Sequence, residues 1–358
     1  MKRLLCIISS LDIGGAETFL MKLYRKLPPN YKLDFVVSTQ TGYYENEVIS
    51  LGGSIYRVPM RTSHPIQEFF QLQKIVHDYN YKNVIKLCNT PIGIFDLLAT
   101  KLGGANQIIV RTCNAGSDEN KIRTLMNALL RPMFNKLCTV KIAPSRLAAE
   151  YTFGSEACRS VHYLHNGVDL NIYSYSHSGR DKIRKQFGIS KGAIVIGHIG
   201  RFTKQKNHEF IIEVFEKIAN LNGNYVLLLV GEGEEREKIY RLVREKKLDN
   251  KVIFAGIRSD IPDILSSMDV FILPSLYEGM PNTAIEAQAV GLNCVLSENI
   301  TREVNISGRV TYLPLDKAGI WADVILSMDK SIINNTKSIA EKGYSLDKVV
   351  DEFIRLCF

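Results

Sequence analysis

Short apolar runs alternate along this chain with stretches in which apolar positions recur every three or four residues, and glycine-, asparagine- and aspartate-rich turns separate them. The first run, residues 2–9, is almost wholly apolar after two basic residues, as a central parallel strand covered on both faces should be. It breaks into LDIGGAETFLMKLYRKL, a loop with paired glycines that opens an amphipathic helix. Further strands are predicted at 33–38, 54–58, 84–87 and 108–111, with helices near 44–51, 66–79 and 93–102. The alternation resumes with strands at 193–200, 225–230, 252–254 and 270–273, and the chain ends in an amphipathic pattern, YSLDKVVDEFIRLCF. Strand and helix alternating in this way predict an α/β fold, each parallel sheet lying between helix layers and taking ligands beyond the carboxyl ends of its strands.

A chain of 358 residues is too long for one ordinary core and suits two domains. The division predicted here is a first domain over 1–170, a linker over 171–190, a second domain over 191–340 and a terminal helix over 341–358. The polar run 177–185 is the reason for placing the linker there. No apolar run reaches the length that spans a bilayer, and the first apolar segment is too short for a signal peptide. Seven scattered cysteines without a C-x-x-C pair fit a reducing cytoplasm. Cys158, His162 and His165 lack the ligand spacing of a structural zinc site.

Charge changes the picture in the first half. Residues 1–175 hold 20 Lys+Arg against 13 Asp+Glu, a net of +7, whereas residues 176–358 hold 25 against 24, a net of +1. A one-sided basic field implies an anionic partner, and with no nucleic-acid motif present a membrane surface is the expectation, not nucleic acid. Residues 121–141 carry five basic and no acidic residues, interleaved with Leu125, Met126, Leu129, Leu130, Met133 and Phe134. Such a helix either lies on an anionic lipid surface or is a domain helix with a core side and a wet basic side.

The candidate chemistry gathers in LPSLYEGMPNTAIEAQAVG, residues 273–291. Pro281 suits the first position of a helix, which leaves the N–H groups of Asn282, Thr283 and Ala284 to face an anion at the positive end of the helix dipole. Glu286, one turn further on, can accept hydrogen bonds from sugar hydroxyls, and Glu278 lies in the loop before the helix. RFTKQKN puts Arg201 and Lys206 just past a strand end, within reach of a diphosphate. Gly14 and Gly15 either let backbone approach a ligand at a helix N-terminus or simply form a tight turn.

Glu278 and Glu286 in this setting, with VFILPSLYEGMP before them and AVGLNCVLSENITREV after, resemble the donor site of family-4 retaining glycosyltransferases of the GT-B fold. The branch they resemble builds bacterial exopolysaccharide and capsule. The resemblance implies two Rossmann-like domains facing a central cleft, an acceptor domain first, a nucleotide-sugar donor domain second, and a terminal helix crossing back to the first. It implies hexosyl transfer from a nucleoside-diphosphate sugar, UDP favoured, to a growing lipid-linked or oligosaccharide acceptor of a surface polysaccharide. The implied acceptor, a lipid-linked diphosphate at the cytoplasmic leaflet, and the basic first half converge on a cytoplasmic protein bound peripherally to the inner face of the plasma membrane.

The same resemblance assigns roles. Arg201 and Lys206, in the family's Gly-Arg…Lys signature, bind the donor phosphates; Glu286 holds the ribose; Glu278 meets the donor sugar or the positive face of the transition state. Gly279, Met280, Pro281, Asn282 and Thr283 form the diphosphate end, Gly256 and Ile257 meet the nucleobase through their backbone, and Gly15 lies at the cleft. Retention by front-face attack is implied. No Asp-x-Asp motif occurs, so fixed cations are expected in place of a metal, and no cofactor. Many relatives carry a histidine in the first-domain loop where this chain reads RTCNAGSDEN; either Asn114, beside Cys113, contacts the sugar or the loop is built differently. A nucleotide-sugar 2-epimerase and a non-catalytic assembly protein would share the architecture, because fold does not set function. Intact charged residues at the site favour transfer.

Overall fold

The structure is a computed structural model that describes residues 1–113 and 121–358; in the helix Lys121–Leu137, side chains are described from residue 124 onward. It divides into two compact units, Met1–Gly167 together with Leu346–Phe358, and Val168–Ser345.

The first unit is built on seven strands, β1 (Lys2–Ile7), β2 (Tyr31–Val37), β3 (Ile55–Arg57), β4 (Asn83–Leu87), β5 (Gln107–Arg111), β6 (Val140–Ala143) and β7 (Val161–Tyr163), in the order β3-β2-β1-β4-β5-β6-β7. All six pairings are parallel. Alternate residues of β1 feed opposite cores: Leu4 and Cys6 join one, Leu5 and Ile7 the other. The helix Leu346–Cys357 presses Val350, Phe353 and Leu356 into the first of these. Its last carbonyls are met by the first residues of two strands, Asn83 Nδ2 donating to Cys357 O at 3.1 Å and Gln107 Nε2 to Leu356 O at 3.0 Å. Those bonds satisfy groups that a helix end otherwise leaves orphaned.

The second unit holds β8 (Ile194–Ile199), β9 (Tyr225–Val230), β10 (Val252–Phe254), β11 (Val270–Leu273), β12 (Asn293–Ser297) and β13 (Val310–Leu313), in the order β10-β9-β8-β11-β12-β13. It too is parallel throughout. In each sheet the strand order reverses beside its first strand, between β1 and β4 and between β8 and β11. Loops leaving the two neighbours diverge to opposite faces there, and the crevice between them is where such sheets take ligands.

Two sequence boundaries shift. The stretch 171–190, expected as a linker, lies inside the second unit and contains the helix His177–Gln186, capped by Ser176 Oγ accepting from Gly179 N at 3.0 Å. Its polarity is internal: Arg184 and Arg180 reach the two oxygens of Asp269 at 2.7 and 2.6 Å, and Asp269 Oδ2 also accepts Val195 N at 2.7 Å. The terminal helix begins at Leu346, not 341, and the first unit's main segment ends at Gly167, not 170.

The core of the second unit encloses two histidines. His198, on β8, donates from Nδ1 to Ile272 O at 3.0 Å; its ring lies 4.8 Å from that of His208, which stacks on Phe202 at 4.0 Å. Burial pushes His198 down to about 3, and burial, followed by the repulsion that a protonated His198 and Lys206 exert, pushes His208 down to about 2. Both are neutral in the folded protein.

Two outcomes follow for stability. Unfolded chains protonate these imidazoles near pH 6.5, so below that the unfolded state binds more protons; the contribution is full above pH 6.5 and is lost as pH falls toward the folded values. Urea unfolding from pH 7 down to pH 4.5 should show about 1.4 kcal/mol lost per pH unit for each histidine, and His208→Phe should remove one such share. An unchanged slope in that variant contradicts the account. Asp269→Ala, which strands the buried Arg184 guanidinium, should cost about 3–5 kcal/mol in the same measurement at neutral pH; a loss below 1 kcal/mol would contradict the hub.

Candidate active site

The loop after β8 and the loop after β11 meet. Lys206 closes a one-turn 3-10 helix, Lys204–Lys206, and its ammonium ion-pairs with Glu278, which is buried. Ser275 Oγ donates to the same carboxylate oxygen at 3.0 Å. Gln205 stitches the two backbones, its carbonyl accepting Leu276 N at 2.9 Å and its side-chain amide donating to Tyr277 O at 2.9 Å. On the other side Asn299 Nδ2 donates to Leu276 O at 3.0 Å, and Glu278 forms a parallel bridge with Ile300. Glu278 is therefore fixed from three loops, those following β8, β11 and β12.

The helix that follows runs Asn282–Val290, with Pro281 outside it as the extended N-cap residue (φ −69°, ψ 117°). The expected start at Pro281 is thus one residue early, and the physical reason is that Pro281 supplies a carbonyl, to Ile285 N at 3.4 Å, without itself turning helical. Asn282, Thr283 and Ala284 become the first three helical residues, whose N–H groups have no acceptor within the helix. Met280 and Pro281 are buried, as is Glu286 on the helix itself. Gln288 anchors the helix from behind, donating to Val304 O at 2.8 Å and accepting from Ile306 N at 3.1 Å. Gly291 ends it at φ +101°, where a Cβ would lie 2.3 Å from Ile333 O.

Close backbone approach defines the flank. Gly231 and Gly233, after β9, have φ of +135° and +156°, and a Cβ on them would fall 2.1 Å from Gly200 O and 2.4 Å from Phe202 O. Only glycines let this loop lie against the one carrying Arg201 and Lys206. Gly231 N in turn donates to Gly256 O at 2.9 Å, and Gly256 itself adopts φ +67°. Ile257 beside it is exposed, and so is Arg201 at the end of β8. A Cβ on Gly200 would sit 3.3 Å from Cδ of Lys206, so the lysine stem runs along the backbone there.

In the first unit the predicted residues are less constrained. Gly15 opens the helix Gly15–Lys26, and an added Cβ would meet nothing within 4 Å. Cys113 is fixed instead by its backbone, its N donating to Asn89 Oδ1 at 2.9 Å, while burial pushes its thiol up. Arg111 Nη1 approaches its sulfur at 3.6 Å and Nη2 reaches Asn166 Oδ1 at 2.6 Å. Asn114 lies outside the described residues. Sequence reading missed Gln205, Ser275, Gln288, Asn299 and Asn89, whose bonds described above are long-range or loop-internal. Gly231 and Gly233 carry a visible signal, the Gly-x-Gly of GEGEER.

Comparison with known proteins matches this arrangement to a family. The sequence profile described as "Glycosyl transferases group 1" matches residues 179–311, a range that contains Arg201, Lys206, Gly256, Glu278 and Glu286. The chain is 30% identical over 336 residues to "Putative glycosyltransferase EpsF" of Bacillus subtilis (strain 168), covering 90% of this chain and 87% of that protein. It is 28% identical over 245 residues to the Escherichia coli "UDP-Gal:alpha-D-GlcNAc-diphosphoundecaprenol alpha-1,3-galactosyltransferase", covering 65% of this chain and 62% of that one. Among solved structures, Anabaena HepE in complex with UDP and glucose shares the fold at a TM-score of 0.82 over 99% of both chains, with 17% identity. With two Rossmann-like parallel sheets in the GT-B manner, and a relative matched along nearly its full length, the chain belongs to the group 1 glycosyl transferases.

Proposed function

We propose that this glycosyltransferase moves a hexosyl group from a nucleoside-diphosphate sugar, with UDP as the nucleotide, to a lipid-linked diphosphate acceptor of a growing surface polysaccharide, with retention and without a metal. The observation that carries this reading is the Lys206–Glu278 pair, which joins the loops after the two strands at the second sheet's switch point, just ahead of a helix N-terminus. The Escherichia coli relative supports the donor and acceptor classes, since its name specifies UDP-Gal and a diphosphoundecaprenol-linked sugar.

In this reading the C1–O bond to the donor's β-phosphate breaks and its electron pair stays on the phosphate oxygen. An acceptor hydroxyl oxygen bonds to C1 from the same face, and its proton passes to the departing phosphate. Lys206, Arg201 and the N–H groups of Asn282 and Thr283 take up the charge that grows on the phosphate. Gly279, Met280 and Pro281 hold the loop that presents those N–H groups. Glu286 accepts from ribose hydroxyls, Glu278 faces the sugar, and the backbone at Gly256 and Ile257 meets the base. Gly15, and Asn114 with Cys113, are the proposed contacts from the first unit. Among the described residues no helix is long and apolar enough to cross a membrane. In this reading the lipid-linked acceptor is reached by peripheral binding to the inner face of the plasma membrane.

Steady-state kinetics test the site. Arg201→Ala and Lys206→Ala should each lower kcat by about 10²–10³-fold, because the charge they meet strengthens in the transition state, whereas Glu286→Ala should chiefly raise the donor KM. Near-wild-type turnover in the two cation variants would remove the phosphate role. Activity should also survive EDTA; loss that magnesium or manganese restores would refute the metal-free mechanism. A thermal-shift series should give its largest shift with UDP rather than GDP or ADP.

A further inference from the structure

The helix Lys121–Leu137 is apolar on two sides: Phe134, with Leu130 and Leu137, packs on the core of the first unit, and a second set of apolar side chains faces outward. Polar Asn127 is buried, and only Phe134 among its described apolar side chains is fully buried. Facing outward are Leu125, Met126, Leu129 and Met133, exposed to 63%, 44%, 71% and 49%. Leu125, Leu129 and Met133 stand four residues apart, so they form one stripe along the helix. The neighbouring helix Ile94–Leu102 packs against it and adds two more exposed apolar side chains, Phe95 and Leu102. Six large apolar residues on two adjacent helices exceed the scattered exposure that needs no explanation.

What covers this face is indicated by the charge around it. No acidic residue occurs from 121 to 141; Lys136, three residues after Met133 on the same helix, is exposed, and so is Lys101, next to Leu102 on the neighbouring helix. Arg131 does not share this role: its guanidinium turns inward and donates to Tyr151 O at 3.2 Å. The basic run is therefore less a cationic patch than an apolar stripe with a few lysines at its edge. An apolar stripe with basic flanks suits the headgroup–acyl boundary of an anionic bilayer, where both parts gain.

We propose that the outward stripe of the helix Lys121–Leu137, with Phe95 and Leu102, inserts into an anionic bilayer surface and docks the first unit there, Lys101 and Lys136 pairing with the headgroups. The inference deepens the membrane part of the function proposed above and rests on it for its purpose, while the surface stands on its own geometry.

The test is sedimentation of the full chain with phosphatidylglycerol–phosphatidylcholine vesicles and with phosphatidylcholine vesicles, at low and high salt. Wild type should prefer the anionic vesicles and keep part of its binding at high salt, since burial of apolar area is not screened. Leu125→Gln with Leu129→Gln should weaken binding about tenfold per leucine, and Lys101→Glu with Lys136→Glu about fivefold or more per lysine at low salt. Both double variants should keep the wild-type thermal midpoint and transfer to a short, water-soluble diphosphate acceptor. Unchanged vesicle binding in the leucine variant, complete release of wild type by salt, or equal binding to neutral vesicles overturns the proposal. A wild-type dimer that the leucine variant dissolves, with no vesicle binding, overturns it in favour of a second copy of this chain. Vesicle results as expected without any sugar transfer would leave the docking surface standing and remove the proposed function instead.

Discussion

An ion pair between residues 72 apart in sequence, Lys206 and Glu278, closes the carboxyl end of the second sheet. A largely buried pair of this kind adds little net stability, since desolvation offsets most of the Coulomb gain. Its consequence is positional. Lys206 cannot swing away, because its stem lies along Gly200 and its loop is bound through Gln205 to Leu276 and Tyr277. Glu278 cannot either, because Ser275 and the bridge to Ile300 hold it from the other side. Two opposite charges are thus kept at the switch point before any ligand arrives, which is the preorganisation that electrostatic catalysis requires.

Supporting that pair demands residues with no chemistry of their own. The glycines at 231 and 233 permit backbone contact that any side chain would block, and Gln288 ties the helix Asn282–Val290 to the segment at 304–307 through both ends of its amide. Behind the loop, neutral His198 and His208 fill the space under Lys206 without adding a competing positive charge. The site is set by how three loops and a helix end are fastened together, and the charged residues are the last layer of that construction.

Much of this was legible in the sequence, for reasons tied to particular residues. Strands such as β1, β4, β9 and β11 are apolar runs bounded by turns, and the helix after Pro281 has Gly291 to end it. The β6, β7, β12 and β13 strands were not singled out in the sequence. The region 171–190 read as a linker because composition cannot reveal that Asp269, some ninety residues on, takes up its arginines. The helix Lys121–Leu137 read as two-sided, yet which side faces solvent depends on Asn127 and Phe134 pointing inward, and spacing alone leaves that open. Burial of an asparagine beside exposed leucines is a tertiary choice.

The charge arithmetic of the proposed reaction follows from the same geometry. A lysine ammonium has three N–H donors, and the pair with Glu278 occupies one, so two remain for phosphate oxygens without breaking the pair. Lys206 and Glu278 together carry no net charge, and a diphosphate arriving there must find its compensation in Arg201 and in the half-charge at the N-terminus of the helix Asn282–Val290. As the bond to the sugar breaks, negative charge moves toward the phosphate and positive charge toward C1. In the proposed reaction, with the lysine toward the phosphate and the carboxylate toward the sugar, a dipole made of Lys206 and Glu278 gains energy from both movements at once. Binding a ground-state diphosphate draws on only one of them, so the pair favours the transition state over the substrate.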